Sequence, residues 1–486
     1  MKWVEKINRF LWVVMPAALY LSYYPVIALG SNESMNFEWS VALLWLVMFD
    51  VFGVAEWWLK RELFLVAKKW ATRRWAVLLF PLFVTISVIW SSNKTRGFLT
   101  AMVMWAVILA MMIIWERRGK IEEKMRRAWW KVFWGSSLLV CGWCVAQCVM
   151  DLMGVPREAS LMCLGCTYES FGFPHPNGFA IEPQFMGNLL LAPVIIATSG
   201  ILTGARPSDV FRANLVKSSC SAGHIVARFL LVLFLTFTLF LTFSRGAIYA
   251  FVMALGCLTG AMVVWKKRKA IRGLVKMWGV IILSFVMALN FQGLMAAVSP
   301  TDDTYFTGMT KALNHLSLGT IEVRAMSAKY DGYVAESTEI RKQLTRDGLA
   351  VWGRDFRTVM MGVGIGGAGE ALYKAGLTGS PKEIIQNEYV SLLTETGVVG
   401  VLLLMFAIGS VIAWITRLMR MTRGRERECW MKKMFVVVTM VVAYGITLAF
   451  FSGMVNALQV YLMPIMVTVM LFSREDYKGF LKKLVS

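Results

Sequence analysis

Two arginines, a set of carboxylates and two histidines stand where an otherwise apolar chain has least reason to put them. Arg245 follows Ser244 at the junction of two apolar runs, and Arg341 lies beside Glu339 in a later polar stretch. A tight turn between apolar runs has no structural need for a guanidinium, but the planar fork of arginine matches the oxygens of a phosphate. Gln386-Asn387-Glu388-Tyr389 comes just before a further apolar run, with Glu395 about two turns later. Glu388 is a candidate proton acceptor, and Glu395 offers a second carboxylate. Gln386 can donate to a phosphate oxygen and accept from a hydroxyl, yet it cannot act as a base near neutral pH. Phe173-Pro174-His175-Pro176-Asn177-Gly178 fixes an irregular backbone, and Glu182 opens the next apolar run. His175, Asn177, Glu182, His315, Asn387 and Tyr389 are therefore candidates for an acceptor side. Together these residue types suit transfer from a phosphorylated leaving group: cations that hold developing charge, and a group that positions or deprotonates a hydroxyl.

Other chemistries find less support. No Walker A pattern, no Ser-His-Asp spacing and no His-Glu-x-x-His occurs. Gly364-Ile365-Gly366-Gly367-Ala368-Gly369 formally matches a dinucleotide fingerprint, but no strand precedes it and no βαβ unit surrounds it. Two readings stay open for it: a plain turn, or a turn whose N–H groups face a phosphate. Cys163 and Cys166 read as a small disulfide in an oxidising compartment, because a zinc site would need two further ligands and only His175 is near. Neither a metal nor a cofactor is expected. Cys141, Cys144 and Cys148 share one helix face and read as packing.

The elements that must position these residues are membrane helices. Hydrophobic residues make up 57% of the 486-residue chain and mean hydropathy is +0.59, well beyond a soluble domain. Apolar runs mark twelve candidate spans, near 10–29, 39–59, 76–92, 98–115, 132–150, 180–201, 228–244, 246–265, 274–293, 389–416, 434–452 and 456–472. The first is expected to be a retained span and not a signal peptide. Helices are required because lipid leaves no external partner for a backbone group. The fold expected is all-α and polytopic, with residues 1–293 as a nine-helix membrane region, 294–388 as one large extracytoplasmic loop and 389–486 as a three-helix membrane region with a tail. Asp50 and Glu56 fall in the second span, as packing carboxylates or as functional ones.

The formal net charge of +21 has its explanation in topology. Lys and Arg concentrate in alternate links, chiefly Lys60 to Arg74, Arg117 to Lys131, Lys266 to Lys276 and Arg417 to Lys433. The positive-inside rule then puts both termini in the cytoplasm and the long polar loop outside, and nucleic acid is not needed to account for the charge.

The order of the motifs is similar to that of the bacterial O-antigen ligase and polymerase superfamily. The likeness rests on Phe173-Pro-His-Pro-Asn-Gly-Phe-Ala180, Thr242-Phe-Ser-Arg-Gly-Ala247, Glu339-Ile-Arg341, Gly362-Val-Gly-Ile-Gly366, Gln386-Asn-Glu-Tyr389 and Glu395-Thr-Gly397 with Gly400. It runs from about residue 170 to about residue 402. The resemblance implies an enzyme of the bacterial inner membrane that uses neither nucleotide nor metal. It implies a glycan carried on undecaprenyl pyrophosphate as donor, and a lipid-linked repeat (polymerases) or lipid A core (ligases) as acceptor. It also implies that Arg245 and Arg341 hold the pyrophosphate. Ligases carry a histidine where this chain has Gln386, so a polymerase of O-antigen or exopolysaccharide is expected first, with a chain-length regulator as partner, and a ligase second. A twelve-span flippase or other transporter is the rival from another class. It would show a large inner break and repeat symmetry, and this sequence shows neither.

Overall fold

The computed structural model describes residues 2–22, 25–32, 35–168, 173–203, 222–266, 271–299, 304–317, 333–421, 424–450 and 458–472. The first half comprises α1 (Lys2–Tyr20), β1 (Pro25–Asn32), β2 (Met35–Ser40), α2 (Val41–Leu59), α3 (Leu63–Arg73), α4 (Trp75–Ser87), α5 (Lys94–Arg117), α6 (Glu123–Leu152), α7 (Arg157–Ser160) and α8 (Pro183–Thr203). Then follow α9 (Ala222–Leu241), α10 (Arg245–Lys266), α11 (Ile271–Val298), α12 (Tyr305–Leu316), α13 (Tyr333–Trp352), α14 (Phe356–Met361) and α15 (Ala368–Lys374). The chain closes with α16 (Glu388–Met421), α17 (Gly424–Thr447) and α18 (Leu458–Leu471). This is an all-α polytopic membrane protein.

Among the described residues eight helices are long and apolar enough to cross a membrane: α2, α5, α6, α8, α10, α11, α16 and α17. A ninth is the pair α3 and α4, bent by 92° at its break. Val226–Leu241 and Leu458–Leu471 are apolar but shorter, and α1 carries Lys2, Glu5, Lys6 and Arg9 in its first half. The twelve expected spans thus each meet a helix, and among the described residues eight or nine have membrane length. The first expectation is corrected furthest. Instead of a helix over 10–29, α1 ends at Tyr20, and β1 pairs antiparallel with β2, Pro25 opposite Ser40. The apolar run that begins at Pro25 is short and is closed by Gly30-Ser31-Asn32, and periodicity alone cannot tell such a run from the end of a helix.

The most enclosed span is α8, 83% buried over its apolar window, against 11% for α16. It packs against α9, α10, α11 and α17. Charges at depth are resolved in two ways. Glu56 accepts from Lys60 at 2.8 Å and from Asn8 at 3.1 Å and pairs with Arg117, so it ties α1, α2 and α5 together. Asp50 is buried, and neither carboxylate oxygen meets a hydrogen-bond partner among the described residues.

Among its described residues the polar loop holds the helices α12 to α15. Thr304 and Asp355 cap α12 and α14, accepting from Thr307 N at 3.2 Å and Thr358 N at 2.8 Å. α13 and α14 pack on the first part of α16, which breaks at Gly397 (φ 63°, ψ −172°). The carbonyls freed near that break accept from the glycine-rich strip: Val363 N to Thr394 O and Gly364 N to Glu395 O, both 2.9 Å. The same strip presses on the start of α5, with Ser91 Oγ donating to Ile365 O at 2.9 Å and Ile365 N donating to Ser87 Oγ at 3.2 Å.

Candidate functional site

The site grows from the turn between α9 and α10. Thr242 Oγ1 donates to Leu239 O at 2.7 Å and accepts from Ser244 N at 3.3 Å, which ends α9 and starts the reversal. Phe243 takes φ 48°, a left-handed conformation uncommon for an aromatic residue and a mark of a held turn. Arg245 is then the first residue of α10, and close packing fixes it. A Cβ on Gly187 of α8 would lie 2.6 Å from that of Ser244, and one on Gly246 would lie 2.9 Å from that of Phe450.

Arg245 Nη1 donates to Thr338 Oγ1 at 3.2 Å. One turn further along α13, Arg341 Nη2 donates to Gln184 Oε1 at 3.1 Å, and Gln184 Nε2 donates to Phe450 O at 2.7 Å. The first turn of α8, the turn after the C-terminal end of α17 and the loop helix α13 therefore converge through Gln184. They enclose a cavity of about 630 Å³ lined by Arg245, Arg341, Gln184, Glu182, Gln386 and the imidazoles of His175 and His315, with Cys163 and Cys166 at its wall.

The two histidines form one unit. Their ring centroids lie 5.3 Å apart, edge to face, and His175 also stacks on Phe173 at 4.6 Å. His315 Nε2 lies 3.2 Å from Phe243 O, so in the neutral ring this nitrogen carries the proton and donates to the carbonyl of the left-handed residue. His175 N donates to Cys166 O at 2.8 Å, and Cys166 is joined to Cys163 in the disulfide expected from their spacing. Burial and then the Arg245 guanidinium hold His315 down to about 3, and burial, His315 and Arg245 hold His175 well below the ordinary imidazole value. Their surroundings thus favour the neutral form of both rings.

The remaining expected residues divide. Gln386, Glu182, His175 and His315 join the two arginines at the cavity; Glu388, Glu395, Asn177, Asn387 and Tyr389 do not line it. Asn177 instead builds the wall behind it, accepting from Cys163 N at 3.1 Å and donating to Leu161 O at 3.1 Å. Asn387 caps α16, accepting from Tyr389 N at 3.1 Å, and Tyr389 donates to Gly445 O of α17 at 2.6 Å. Glu388 is buried, and its N–H donates to Leu448 O at 2.8 Å. Glu395 faces the glycine strip, its carboxylate accepting from the N–H groups of Gly366 and Ala368.

That also decides between the two readings of the strip. Its N–H groups from Gly364 to Ala368 are already engaged by Glu395, Ser87 and Gly364 O. A Cβ on Gly364 would meet Ser91 Cα at 2.3 Å, and one on Gly362 would meet Glu395 O at 2.3 Å. The glycines serve close backbone approach and not a phosphate. Thr338 and Gln184 were not singled out by the sequence; an uncharged polar group in the first turn of the most buried span was the available signal for Gln184.

A second cavity of about 390 Å³ lies at the far end of α5, lined by Glu5, Arg9, Glu56, Lys60, Glu116 and Lys120 among others. Its charges are paired with one another, Lys60 with Glu5 at 2.8 Å, Lys69 with Glu116 at 2.6 Å and Arg9 with Glu122 at 3.0 Å, so it reads as a staple between helices. Among the described residues no group of three His, Cys, Asp or Glu is placed to hold a metal ion.

Residues 230–405 match the family model described as O-antigen ligase. The resemblance read from the motifs is supported. The matched stretch runs from α9 into α16 and so contains Arg245, His315, Arg341 and Gln386, four of the cavity residues. At the level of the O-antigen ligase and polymerase superfamily, it supports a membrane enzyme of glycosyltransferase type. No curated protein matches the chain.

Proposed function

We propose that the cavity receives the diphosphate of a glycan carried on undecaprenyl pyrophosphate and that the protein passes this glycan to a sugar hydroxyl in surface-polysaccharide synthesis. The observation that carries this reading is the convergence of Arg245 and Arg341, from α10 and α13, on one cavity whose other polar groups are mostly uncharged. Transfer breaks the bond between the sugar C1 and the diphosphate oxygen and leaves the electron pair on that oxygen. Guanidinium N–H groups already fixed by Thr338 and Gln184 meet that growing charge without reorganising, and this is where such donors contribute most. Gln386 faces the same space and suits an acceptor hydroxyl.

A polymerase is favoured over a ligase because Gln386 stands where ligases are expected to carry a histidine. On this reading the acceptor is a second lipid-linked repeat, a chain-length regulator is the natural partner, the loop of 294–388 faces outward from the inner membrane, and both termini are cytoplasmic. Neither nucleotide nor metal takes part. The test uses full-length protein in nanodiscs with a polyprenyl-diphosphate oligosaccharide, offered either a second copy of that donor or lipid A core. Arg245→Ala and Arg341→Ala should each lose about 2–4 kcal/mol of transition-state stabilisation, roughly 30- to 1000-fold in rate. Arg→Lys keeps the charge, loses the fork and should be impaired as well. Wild-type turnover in either alanine variant removes that arginine from the site, and exclusive transfer to lipid A core makes the protein a ligase.

A further inference from the structure

We propose that the Glu182 carboxylate is the proton acceptor for the incoming hydroxyl, held by the first turn of α8 beside the diphosphate clamp. This rests on the diphosphate-transfer reading of the cavity. Elimination among the described residues that line the cavity leaves this one group. Gln386 and Gln184 cannot take a proton, and Cys163 and Cys166 are joined to each other. Thr242 Oγ1 and Ser244 Oγ are alcohols that donate to Leu239 O and Gln184 O. The imidazoles of His175 and His315 are buried, only 3% and 8% exposed, and burial together with the Arg245 charge opposes their taking a proton. Glu395 is held by two backbone N–H groups of the glycine strip, and neither it nor Glu388 lines the cavity. Glu182 does line it and is exposed there, and among the described residues no hydrogen bond or ion pair occupies its carboxylate.

The backbone around Glu182 is fixed. Its carbonyl accepts from Phe185 N at 3.2 Å and Met186 N at 3.3 Å, which starts α8, and Pro183 sets φ at the first helical position. Two residues on, Gln184 binds both arginine-bearing elements. Its side-chain oxygen accepts from Arg341 at 3.1 Å, and its backbone carbonyl accepts from Ser244 Oγ, next to Arg245, at 3.4 Å. The base and the clamp therefore share one rigid support. The charged and titratable groups around Glu182 in the cavity are Arg245 of α10, Arg341 of α13, His315 of α12 and His175 of the disulfide-bonded loop. A diphosphate on the arginines brings negative charge into the same space, and like charge favours a protonated carboxyl. Taking the acceptor proton thus removes a repulsion as charge grows on the leaving group. The step balances: the acceptor O–H proton moves to an Oε of Glu182, the acceptor oxygen bonds to C1, and the C1–O bond electrons stay on the diphosphate. The carboxylic acid then returns its proton to the departing diphosphate or to water.

Glu182→Gln keeps the size of the side chain and its capacity for hydrogen bonds but has no titrating group. In full-length protein in nanodiscs it should lower kcat by about 10²- to 10⁴-fold and abolish the acid limb of the kcat–pH profile. The donor KM should stay within about threefold of wild type. Glu182→Asp keeps a carboxylate on a shorter stem and should retain the acid limb at a reduced kcat. Thermal unfolding of both variants should match wild type, because the side chain is exposed. Calorimetry with inorganic pyrophosphate should show Glu182→Gln binding at least as tightly as wild type, since a like charge is gone, and Arg245→Ala binding more weakly. If Glu182→Gln keeps kcat within about fivefold with an unchanged acid limb, changes only KM, or binds pyrophosphate more weakly than wild type, Glu182 is not the base. The inference then falls while the reading of the cavity stands. If wild-type protein transfers no glycan and Arg245→Ala binds pyrophosphate as wild type does, the reading of the cavity fails and the inference with it.

Discussion

Replacing Gly397 by alanine tests whether the break in α16 is what fastens the loop. At φ 63° and ψ −172° the residue sits in a region open to little but glycine, and an added Cβ would lie 2.4 Å from Met360 O and 2.6 Å from Gly362 N. The backbone conformation costs an alanine about 1–3 kcal/mol. Overpacking against main-chain atoms, which cannot rotate away, adds about 1–3 kcal/mol. The strain, roughly 2–6 kcal/mol from those two terms, is relieved where the structure gives most easily. That is at the paired bonds Val363 N to Thr394 O and Gly364 N to Glu395 O, not within the apolar span. Hydrogen exchange read by mass spectrometry should show amides of 356–374 opening roughly 30-fold more often or beyond, since each 1.4 kcal/mol is a factor of ten. The amides of α11 should be unchanged. Glycan transfer should fall as well, because Gln386 of the cavity lies between this segment and the start of α16. Exchange in 356–374 within about threefold of wild type would refute the argument.

Three further outcomes are expected. Reporter fusions after Ser299 and after Lys382 should read as extracytoplasmic and one after Arg425 as cytoplasmic; a cytoplasmic signal at Ser299 ends the proposed orientation. Glu395→Gln should lower the unfolding temperature while leaving the pH profile of kcat as in wild type, because its carboxylate is spent on Gly366 and Ala368 N–H groups; wild-type stability with an altered profile would return Glu395 to the chemistry. His315 is held to about 3 in the folded protein against 6.5 in the unfolded chain, so between these values the unfolded state binds more protons. Stability from this source is complete above about pH 6.5 and is lost as pH falls towards 3; the double variant His175→Gln, His315→Gln should flatten that dependence in thermal unfolding, and an equally steep slope would contradict the burial argument.

The spans were legible because each is a long apolar run, and lipid permits one backbone solution for such a run. The segment after Tyr20 was not, since hydropathy counts apolar residues without seeing that Pro25 and Ser31-Asn32 bound a strand-length piece. At the site, the pairing of Arg245 with Arg341 could be expected from motif order, whereas Gln184 as the link between them required the fold. Glu388 and Glu395 stand apart from the cavity for a physical reason. Nearness in sequence to Gln386 says nothing of which way a helical residue faces, and a carboxylate's availability depends on donors brought from elsewhere, here Gly366 and Ala368. His175 and His315 lie far apart along the chain, and their contact could not be read before the loop helices were placed.

The break at Gly397 bears on where this protein could be cut and rejoined. Hydropathy puts the seam between loop and membrane at 388, yet the segment from Glu388 to Thr396 is bonded through Thr394 and Glu395 to the glycine strip, and the strip to Ser87, Ser91 and Ser92. A chimera that exchanged 294–388 alone with a relative would sever that lattice on both sides and lose register. The interchangeable cassette runs to Gly397 and takes the connection from Ser87 to Gly97 with it. Specificity grafted at those limits should travel with the loop, and grafted at the hydropathic ones it should not.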